Sequence, residues 1–306
     1  MPKTAWVFPG QGSQYVGMGA DVVISEPRAQ ALVSHADQLL GTTLSGVMFS
    51  GPEEVLRQTK NTQPAIFLHS MILVTLMGEA RPDMVAGHSL GEYTALVVAG
   101  ALSFNDGLAL VRLRGELMHR AGELEHGTMA ALIGLDAAIV ESLCAEASSA
   151  GVVQPANFNS PGQIVISGSV EGVRAAMAIA KMRGAKMVKE LVVSGAFHSP
   201  LMRSAEAGLE LALEKVVIHD TQIPVYSNVK AEPVRDARTI RTLLLEQLTS
   251  PVRWEESVVN MKRDGAERFI EIGPGKVLQG LVKRIAPSVS IRGVDKFVDI
   301  AGVDLA

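Results

Sequence analysis

The sequence has a single cysteine, Cys144, and few aromatic residues. One thiol cannot close an internal disulfide or supply a cysteine cluster for zinc, which favours a reducing cytoplasm, and we expect Cys144 to be a small core residue. Aromatic residues make up 4% of the 306 residues, too few for a surface on which nucleic-acid bases stack. The formal net charge of −4 and the absence of a long Lys/Arg block also argue against a DNA- or RNA-binding protein.

Long hydrophobic runs are also missing. The longest, residues 64–77, is interrupted by His69, Ser70 and Thr75 and falls short of the roughly 20 residues that a membrane span needs. We expect it to form a buried helix with Pro64 in its first turn, and we expect no membrane association. The N-terminal residues carry one charge before a glycine-rich turn, so no export signal is expected.

Short apolar runs at both ends of the chain predict strands that lead into helices. Residues 5–8 and 84–86 each end in a turn containing glycine and are followed by residues with helical periodicity. Near the C-terminus, residues 268–272 and the amphipathic segment 276–285 repeat this pattern. Alternating strands and helices predict an α/β protein with a mostly parallel sheet covered on both faces.

The middle of the chain has a different pattern. Its predicted strands and helices alternate as strand 129–135, helix 137–149, strand 152–158, strand 163–167, helix 170–183 and strand 186–193. The order β-α-β-β-α-β is that of a ferredoxin-like module. We therefore expect a small ferredoxin-like subdomain, residues 126–195, inserted into a large α/β-hydrolase-like domain formed by residues 1–125 and 196–306.

Residues 87–91 (GHSLG) form a G-x-S-x-G sequence between a predicted strand and a predicted helix. A side chain at either glycine would clash in so tight a turn, and the strained backbone presents the hydroxyl of Ser89. Ser89 is therefore a candidate nucleophile at a helix N-terminus, where the backbone amide of Leu90 and the helix dipole favour an oxyanion. The alternative is a glycine-rich turn with an incidental serine.

The loop after the first predicted strand offers a second oxyanion-hole donor, Gln11, between Gly10 and Gly12. This loop lacks G-K-[ST] and the dinucleotide fingerprint, so we expect neither a nucleoside triphosphate nor NAD. The turn at residues 273–275 (GPG) is expected to shape the site rather than to bind phosphate. No histidine or carboxylate pair has metal-ligand spacing, so we predict neither a metal nor another cofactor.

A serine hydroxyl needs a base, and seven histidines are candidates. His198 lies in residues 194–200 (SGAFHSP), where small neighbours permit close approach to a ligand. His88 lies inside the tight turn of residues 87–91, the nucleophile elbow, and is expected to point away from Ser89. A lone histidine is nevertheless more often a structural or surface residue, so composition leaves the choice of His198 open.

Five motifs extend the pattern beyond the elbow: 8–14 (FPGQGSQ), 87–93 (GHSLGEY), 157–162 (NFNSPG), 196–199 (AFHS) and 272–275 (IGPG). In order and spacing they resemble the malonyl-CoA:acyl carrier protein transacylases of fatty-acid synthesis and the related polyketide acyltransferases, over nearly the whole chain. The resemblance implies transfer of a malonyl group from malonyl-CoA to the phosphopantetheine thiol of an acyl carrier protein. A malonyl-Ser89 intermediate and ping-pong kinetics are implied with it.

The resemblance also assigns roles around the nucleophile. His198 would be the general base, and Gln247 stands at the position of the neutral carbonyl that orients the imidazole in that family, where no carboxylate is needed. Phe197 matches the aromatic residue that goes with malonyl rather than methylmalonyl substrates. Without the resemblance, Gln247 would be interpreted as an amide on a helix surface.

Arg114 matches the arginine that binds the malonyl carboxylate in the same family, a task that suits the planar guanidinium. The alternative is a solvated helix charge paired with Glu116. Arg112, two residues earlier, should lie on another face of the helix.

Acyl carrier proteins are acidic, so a basic surface beside the active-site cleft is expected to recognise the carrier. Five basic residues are candidates, namely Lys186, Lys189, Arg203, Lys283 and Arg284. Scattered solubilising charge explains them equally well.

Three other functions remain open. A serine hydrolase of the α/β-hydrolase class shares the elbow, but in that class the histidine follows an acid near the chain end, and an H-G-G-G sequence is absent here. An editing acyl hydrolase would have no use for a cation such as Arg114. A noncatalytic carrier-docking module would not need Ser89, His198 and Arg114 together. Whether the carrier belongs to fatty-acid or polyketide synthesis is also open.

Overall fold

The computed structural model of the chain describes residues 3–302, which form two β-sheets and their covering helices. The strands are β1 Lys3–Phe8, β2 Met84–Gly87, β3 Gly127–Ile133, β4 Val153–Ser160, β5 Gln163–Ser169, β6 Met187–Glu190, β7 Val225–Tyr226, β8 Pro233–Val234, β9 Ala266–Ile272 and β10 Ser290–Val294. The helices are α1 Ala20–Ser25, α2 Pro27–Leu40, α3 Leu44–Ser50, α4 Glu53–Leu56, α5 Thr59–Leu76, α6 Gly91–Val98, α7 Phe104–Leu124, α8 Ala137–Ala147, α9 Val170–Met182, α10 Glu206–Lys215, α11 Ala237–Glu246, α12 Trp254–Arg263, α13 Val277–Ile285 and α14 Phe297–Ala301. A 3-10 helix, Pro200–Ala205, precedes α10.

The large sheet has the strand order β10-β9-β1-β2-β7-β8. Its neighbours are parallel except for the antiparallel pair β7 and β8, which confirms the predicted mostly parallel sheet. Phe8 of β1 lies opposite Gly87 of β2, so these two strands end side by side. In such sheets, ligands usually bind at the carboxyl ends of the parallel strands, between the loops that follow them.

Both faces of the large sheet are buried. Trp6 and Phe8 pack into one apolar core with residues of α5, α6 and α7, whereas Ala5 and Val7 pack into a second core with residues of α12 and α13. Alternate residues of a strand point to opposite faces, so one short strand contributes to both cores. This arrangement explains why β1 and β2 are almost continuously apolar.

Helix α5 is buried along most of its length, and it begins at Thr59. The prediction that Pro64 starts this helix is therefore wrong. Proline has no N–H for the carbonyl four residues earlier, that of Lys60, and usually breaks a helix there. Here Arg112 Nη1 of α7 donates to Lys60 O at 3.0 Å, so a neighbouring side chain satisfies the carbonyl that Pro64 leaves free. Within residues 3–302, no helix is long and apolar enough to cross a membrane.

The small sheet is antiparallel, with the order β4-β5-β3-β6, and it carries α8 and α9. The predicted β-α-β-β-α-β order is thus observed, while the boundaries at 126 and 195 stay a prediction. Cys144 is buried and unpaired in the core of this unit, as expected. Main-chain hydrogen bonds join the unit to the rest of the chain, since Phe158 N donates to Val252 O and Val252 N to Ala156 O.

Candidate active site

The turn between β2 and α6 presents Ser89 in a strained backbone conformation. A Cβ atom on Gly87 would lie 1.9 Å from the Gly91 carbonyl carbon, and one on Gly91 would lie 2.2 Å from Phe8 O. No side chain fits at either position, as the sequence pattern predicts. Ser89 itself has a φ of 53°, in the left-handed region that non-glycine residues rarely adopt. The surrounding packing therefore holds the hydroxyl in a fixed, outward-facing position.

Asn228, which follows β7, braces this turn from the side. Its Oδ1 accepts a hydrogen bond from Ser89 N at 2.7 Å, and its Nδ2 donates to Gly87 O at 2.6 Å. The amide thus clamps the backbone on both sides of the elbow. This contact spans more than a hundred residues of sequence, and no local pattern indicates it.

The structure brings Ser89 and His198 together. Ser89 Oγ lies 2.8 Å from His198 Nε2, and His198 Nδ1 lies 2.9 Å from the main-chain oxygen of Gln247. Because a carbonyl only accepts, Nδ1 carries the proton and Nε2 is free to accept the serine proton. His198 also has a positive φ, 56°, so Ser89 and His198 are both held in strained conformations.

His198 is buried and neutral at rest. Burial, followed by the positive charge of Arg114, lowers the pKa of His198 to about 3, although the hydrogen bond to the Gln247 carbonyl works in the opposite direction. A neutral imidazole is the form that can take a proton from serine. A protonated imidazole gains less from a carbonyl than it would from a carboxylate.

Arg114 is 1% exposed and points at the nucleophile. Its Nη2 donates to Ser89 Oγ at 3.1 Å and to Gln247 Oε1 at 2.9 Å, and its Nη1 donates to Gln63 Oε1 at 2.7 Å. The guanidinium carbon also lies 5.7 Å from the ring centroid of Tyr93. Within residues 3–302 the structure shows no direct ion pair of Arg114 with a carboxylate. A buried cation held only by neutral groups is suited to receive an anionic ligand.

Arg112, by contrast, forms an ion pair with Glu116, the partner that the sequence also allowed for Arg114. Its Nε donates to Glu116 Oε1 at 2.7 Å, and its Nη1 reaches Lys60 O and Asn61 Oδ1. It does not line the cavity above Ser89. Arg112 and Arg114 therefore lie on different faces of α7.

A cavity of about 220 Å³ opens above the serine. Its walls include the predicted residues Gln11, Leu90, Arg114, Phe197 and His198. No main-chain hydrogen bond in the described part of the chain uses the N–H of Gln11 or of Leu90, so both donors are available to a substrate oxygen. The ring of Phe197 is buried in the wall.

Several residues that hold this site were not singled out from the sequence. Gln154 of β4 donates from Nε2 to His198 O at 2.9 Å and to Thr249 O at 3.0 Å, which joins the loop of the base to the loop that follows Gln247. Gln63 and Asn228 were missed because only tertiary contacts reveal them. His88 bonds through Nε2 to Asn159 Oδ1 at 2.9 Å rather than to Ser89.

The five basic residues considered for carrier recognition are all exposed. Arg284 is placed next to the cavity, because its Nη1 donates to Oε1 of Gln163, which lines the cavity wall. Lys283 precedes it on α13. Among residues 3–302 no group of three or more His, Cys, Asp or Glu side chains could hold a metal ion.

Comparisons with known proteins identify the family of the chain. A family model described as acyl transferase domain matches residues 5–295. The chain is 47% identical over 288 residues to the malonyl CoA-acyl carrier protein transacylase of Bacillus subtilis strain 168, covering 93% of this chain and 91% of that protein. The crystal structure of an acyl carrier protein S-malonyltransferase from Vibrio cholerae has a TM-score of 0.95 and 42% identity, with 99% and 100% of the two chains covered. A type II PKS acyl-carrier protein in complex with its malonyl-transacylase includes a chain with a TM-score of 0.93 and 40% identity, and 98% of each chain is covered.

Proposed function

This chain belongs to the acyl transferase domain family, and we propose that it transfers a malonyl group from malonyl-CoA to the phosphopantetheine thiol of an acyl carrier protein. Two of the relatives above are named malonyl CoA-acyl carrier protein transacylase and acyl carrier protein S-malonyltransferase, and these names support the proposal. The observation that carries the proposal is the buried guanidinium of Arg114, 3.1 Å from the hydroxyl of Ser89. A cation beside the nucleophile suits an acyl group that ends in a carboxylate.

In the first half-reaction, Ser89 Oγ attacks the thioester carbonyl while His198 Nε2 accepts the hydroxyl proton. The backbone N–H groups of Leu90 and Gln11 would bind the developing oxyanion. Collapse of the intermediate breaks the carbon–sulfur bond, and His198 returns the proton to the departing CoA thiol. In the second half-reaction the carrier thiol gives its proton to His198 and attacks the ester carbonyl of malonyl-Ser89. Collapse of that intermediate breaks the carbon–oxygen bond to Ser89 Oγ, and His198 returns the proton to this oxygen.

Trapping of the acyl-enzyme tests the proposal. After incubation with labelled malonyl-CoA and no carrier, mass spectrometry should find one malonyl adduct, on Ser89. Addition of holo carrier protein should remove the adduct and yield malonyl-carrier, whereas an editing hydrolase would release free malonate instead. Rates with carriers of fatty-acid and of polyketide synthesis, under one set of conditions, would identify the acceptor.

A cytoplasmic location is also proposed, supported by the single unpaired cysteine.

Arg114 should determine the preference for malonyl over acetyl groups. Malonyl differs from acetyl by one carboxylate, and a charge-assisted pair contributes on the order of 1.5–3 kcal/mol. Arg114→Ala should therefore lower the malonyl-to-acetyl ratio of kcat/KM by roughly 10- to 100-fold. Measuring both substrates on one preparation makes the ratio independent of any loss of folded protein.

Arg114→Lys should recover only part of the ratio, because a point charge cannot reproduce the planar fork. Arg112→Ala is the matched control and should leave the ratio unchanged, since Arg112 pairs with Glu116 outside the cavity. An Arg114→Ala protein with the parental ratio would show that another group binds the carboxylate.

Phe197 should exclude an α-methyl branch, because its buried ring occupies part of the cavity wall. Discrimination of one methyl group is worth about 1–3 kcal/mol, so Phe197→Ser should raise the methylmalonyl-to-malonyl ratio of kcat/KM by about 10- to 200-fold at most. Leu191→Ser, at another lining residue, is the control and should alter this ratio little. If Leu191→Ser changes the methylmalonyl-to-malonyl ratio and Phe197→Ser does not, the part of the cavity wall at Leu191 excludes the α-methyl branch.

Carrier recognition should depend on Lys283 and Arg284. Reversing both to glutamate should raise the KM for the acidic carrier about 3- to 10-fold and reduce its dependence on salt, while acylation by malonyl-CoA is unchanged. The matched control reverses Arg28 and Arg238, two exposed arginines on helices that contribute nothing to the cavity. Equal effects of the two double variants would point to general charge rather than docking.

A further inference from the structure

A buried carboxylate lies behind the nucleophile, and the reaction above does not use it. Glu92, in the first turn of α6, is 3% exposed. Its Oε2 accepts a hydrogen bond from Gln247 Nε2 at 2.6 Å and another from Asn228 N at 3.2 Å. One carboxylate oxygen thus contacts both residues that hold the catalytic pair, since Gln247 orients His198 and Asn228 braces Ser89.

The contact between Glu92 and Gln247 determines which way the Gln247 amide faces. An ionised carboxylate only accepts hydrogen bonds, so Nε2 must point at Glu92. Oε1 is then left to face Arg114, whose Nη2 lies 2.9 Å away. If the amide were reversed, its NH2 group would face the N–H groups of Arg114 and its oxygen would face the carboxylate of Glu92. Neither contact could then be a hydrogen bond.

We propose that Glu92 is the counterion of Arg114 and acts on it through the side-chain amide of Gln247. The amide stands between the two charges, so the guanidinium is compensated without a carboxylate bonded to it. A direct ion pair would have to be broken before substrate could bind, and an uncompensated buried cation would be costly. The malonyl carboxylate is then the first anion to bind the guanidinium directly. This inference rests on the proposed function and adds a positioning residue for its selectivity.

Two hydrogen bonds and a nearby cation favour the ionised form of Glu92 against the effect of burial. Burial raises the pKa of Glu92 to about 7, while the hydrogen bonds from Gln247 and Asn228 and the positive charge of Arg114 work against that rise. Because a higher pH favours the carboxylate form of a group whose pKa is raised, the test is run at pH 8. A residue that merely held the elbow in place would affect malonyl and acetyl transfer alike, because both need Ser89.

The test compares malonyl-CoA with acetyl-CoA at pH 8, using one carrier protein. Glu92→Gln keeps the shape of the side chain and removes its charge. It should raise kcat/KM for malonyl about tenfold, mainly through a lower KM, because the malonyl carboxylate then replaces Glu92 as the anion that compensates Arg114, and it should change the value for acetyl by less than about threefold. In an Arg114→Ala background the same substitution should leave the malonyl-to-acetyl ratio unchanged, because the charge on which Glu92 acts is gone. Glu116→Gln, which removes the partner of Arg112, is the matched control and should leave the ratio at its parental value.

Glu92→Asp separates charge from shape and remains informative if Glu92→Gln does not fold. It keeps the charge on a shorter side chain and should leave the malonyl-to-acetyl ratio near its parental value. A malonyl-to-acetyl ratio that Glu92→Gln lowers or leaves unchanged, an effect of Glu92→Gln that persists without Arg114, or an aspartate variant whose ratio rises as far as that of Glu92→Gln would each overturn the inference. Absence of a malonyl adduct on Ser89 in the parental enzyme would instead overturn the proposed function, and the inference with it.

Discussion

Ser89→Ala should abolish the malonyl adduct and reduce transfer on the order of 10⁴-fold or more, the scale seen when a catalytic nucleophile is removed. The reason is geometric as well as chemical, since the strained turn presents only this hydroxyl to His198. Intact-protein mass spectrometry after incubation with malonyl-CoA measures the adduct, and malonyl-carrier formation measures transfer.

Ser149→Ala is the control for this substitution, because Ser149 is exposed and its hydroxyl donates to the nearby Glu146 carbonyl. It should match the parental enzyme in both assays. Transfer by Ser89→Ala at a rate comparable to the parental one would exclude the acyl-serine route altogether.

His198→Ala should slow both half-reactions at least roughly 100-fold, the usual scale for a general base. One imidazole takes the proton of Ser89 in the first half-reaction and that of the carrier thiol in the second, so neither step should be spared. Rapid-mixing measurements of adduct formation, and of adduct decay on addition of carrier, separate the two steps. His126→Ala, at an exposed histidine, should leave both rates unchanged. A variant at His198 that slowed only one half-reaction would require a second base.

Gln247 makes separate contacts through its main chain and through its side chain. The resemblance indicated a neutral carbonyl at this residue, and the structure places its main-chain oxygen on His198 Nδ1. Its side-chain amide does something else, because it links Arg114 to Glu92. A sequence motif names a residue and does not distinguish its backbone from its side chain.

The sequence by itself determined the features that arise from short stretches of chain. The elbow at Ser89 follows from two glycines that the tight turn requires, and the alternation of apolar runs with helical segments follows from the periods of strands and helices. The mostly parallel sheet and the β-α-β-β-α-β order could be predicted for the same reason. These features depend on backbone sterics and burial pattern within about ten residues, which a sequence displays directly.

Only the tertiary structure decided which polar residues of distant segments share the buried site. Helical periodicity separated Arg112 from Arg114 but could not say which one faces the nucleophile, because both are charged. Within helix α5, Arg112 satisfies the Lys60 carbonyl that Pro64 leaves free, a contact that the local sequence does not indicate. Glu92, Gln63 and Asn228 gain their roles from partners that are 51 to 155 residues away in sequence. A buried polar group must find a partner wherever the fold supplies one, and that choice depends on three-dimensional packing rather than on local pattern.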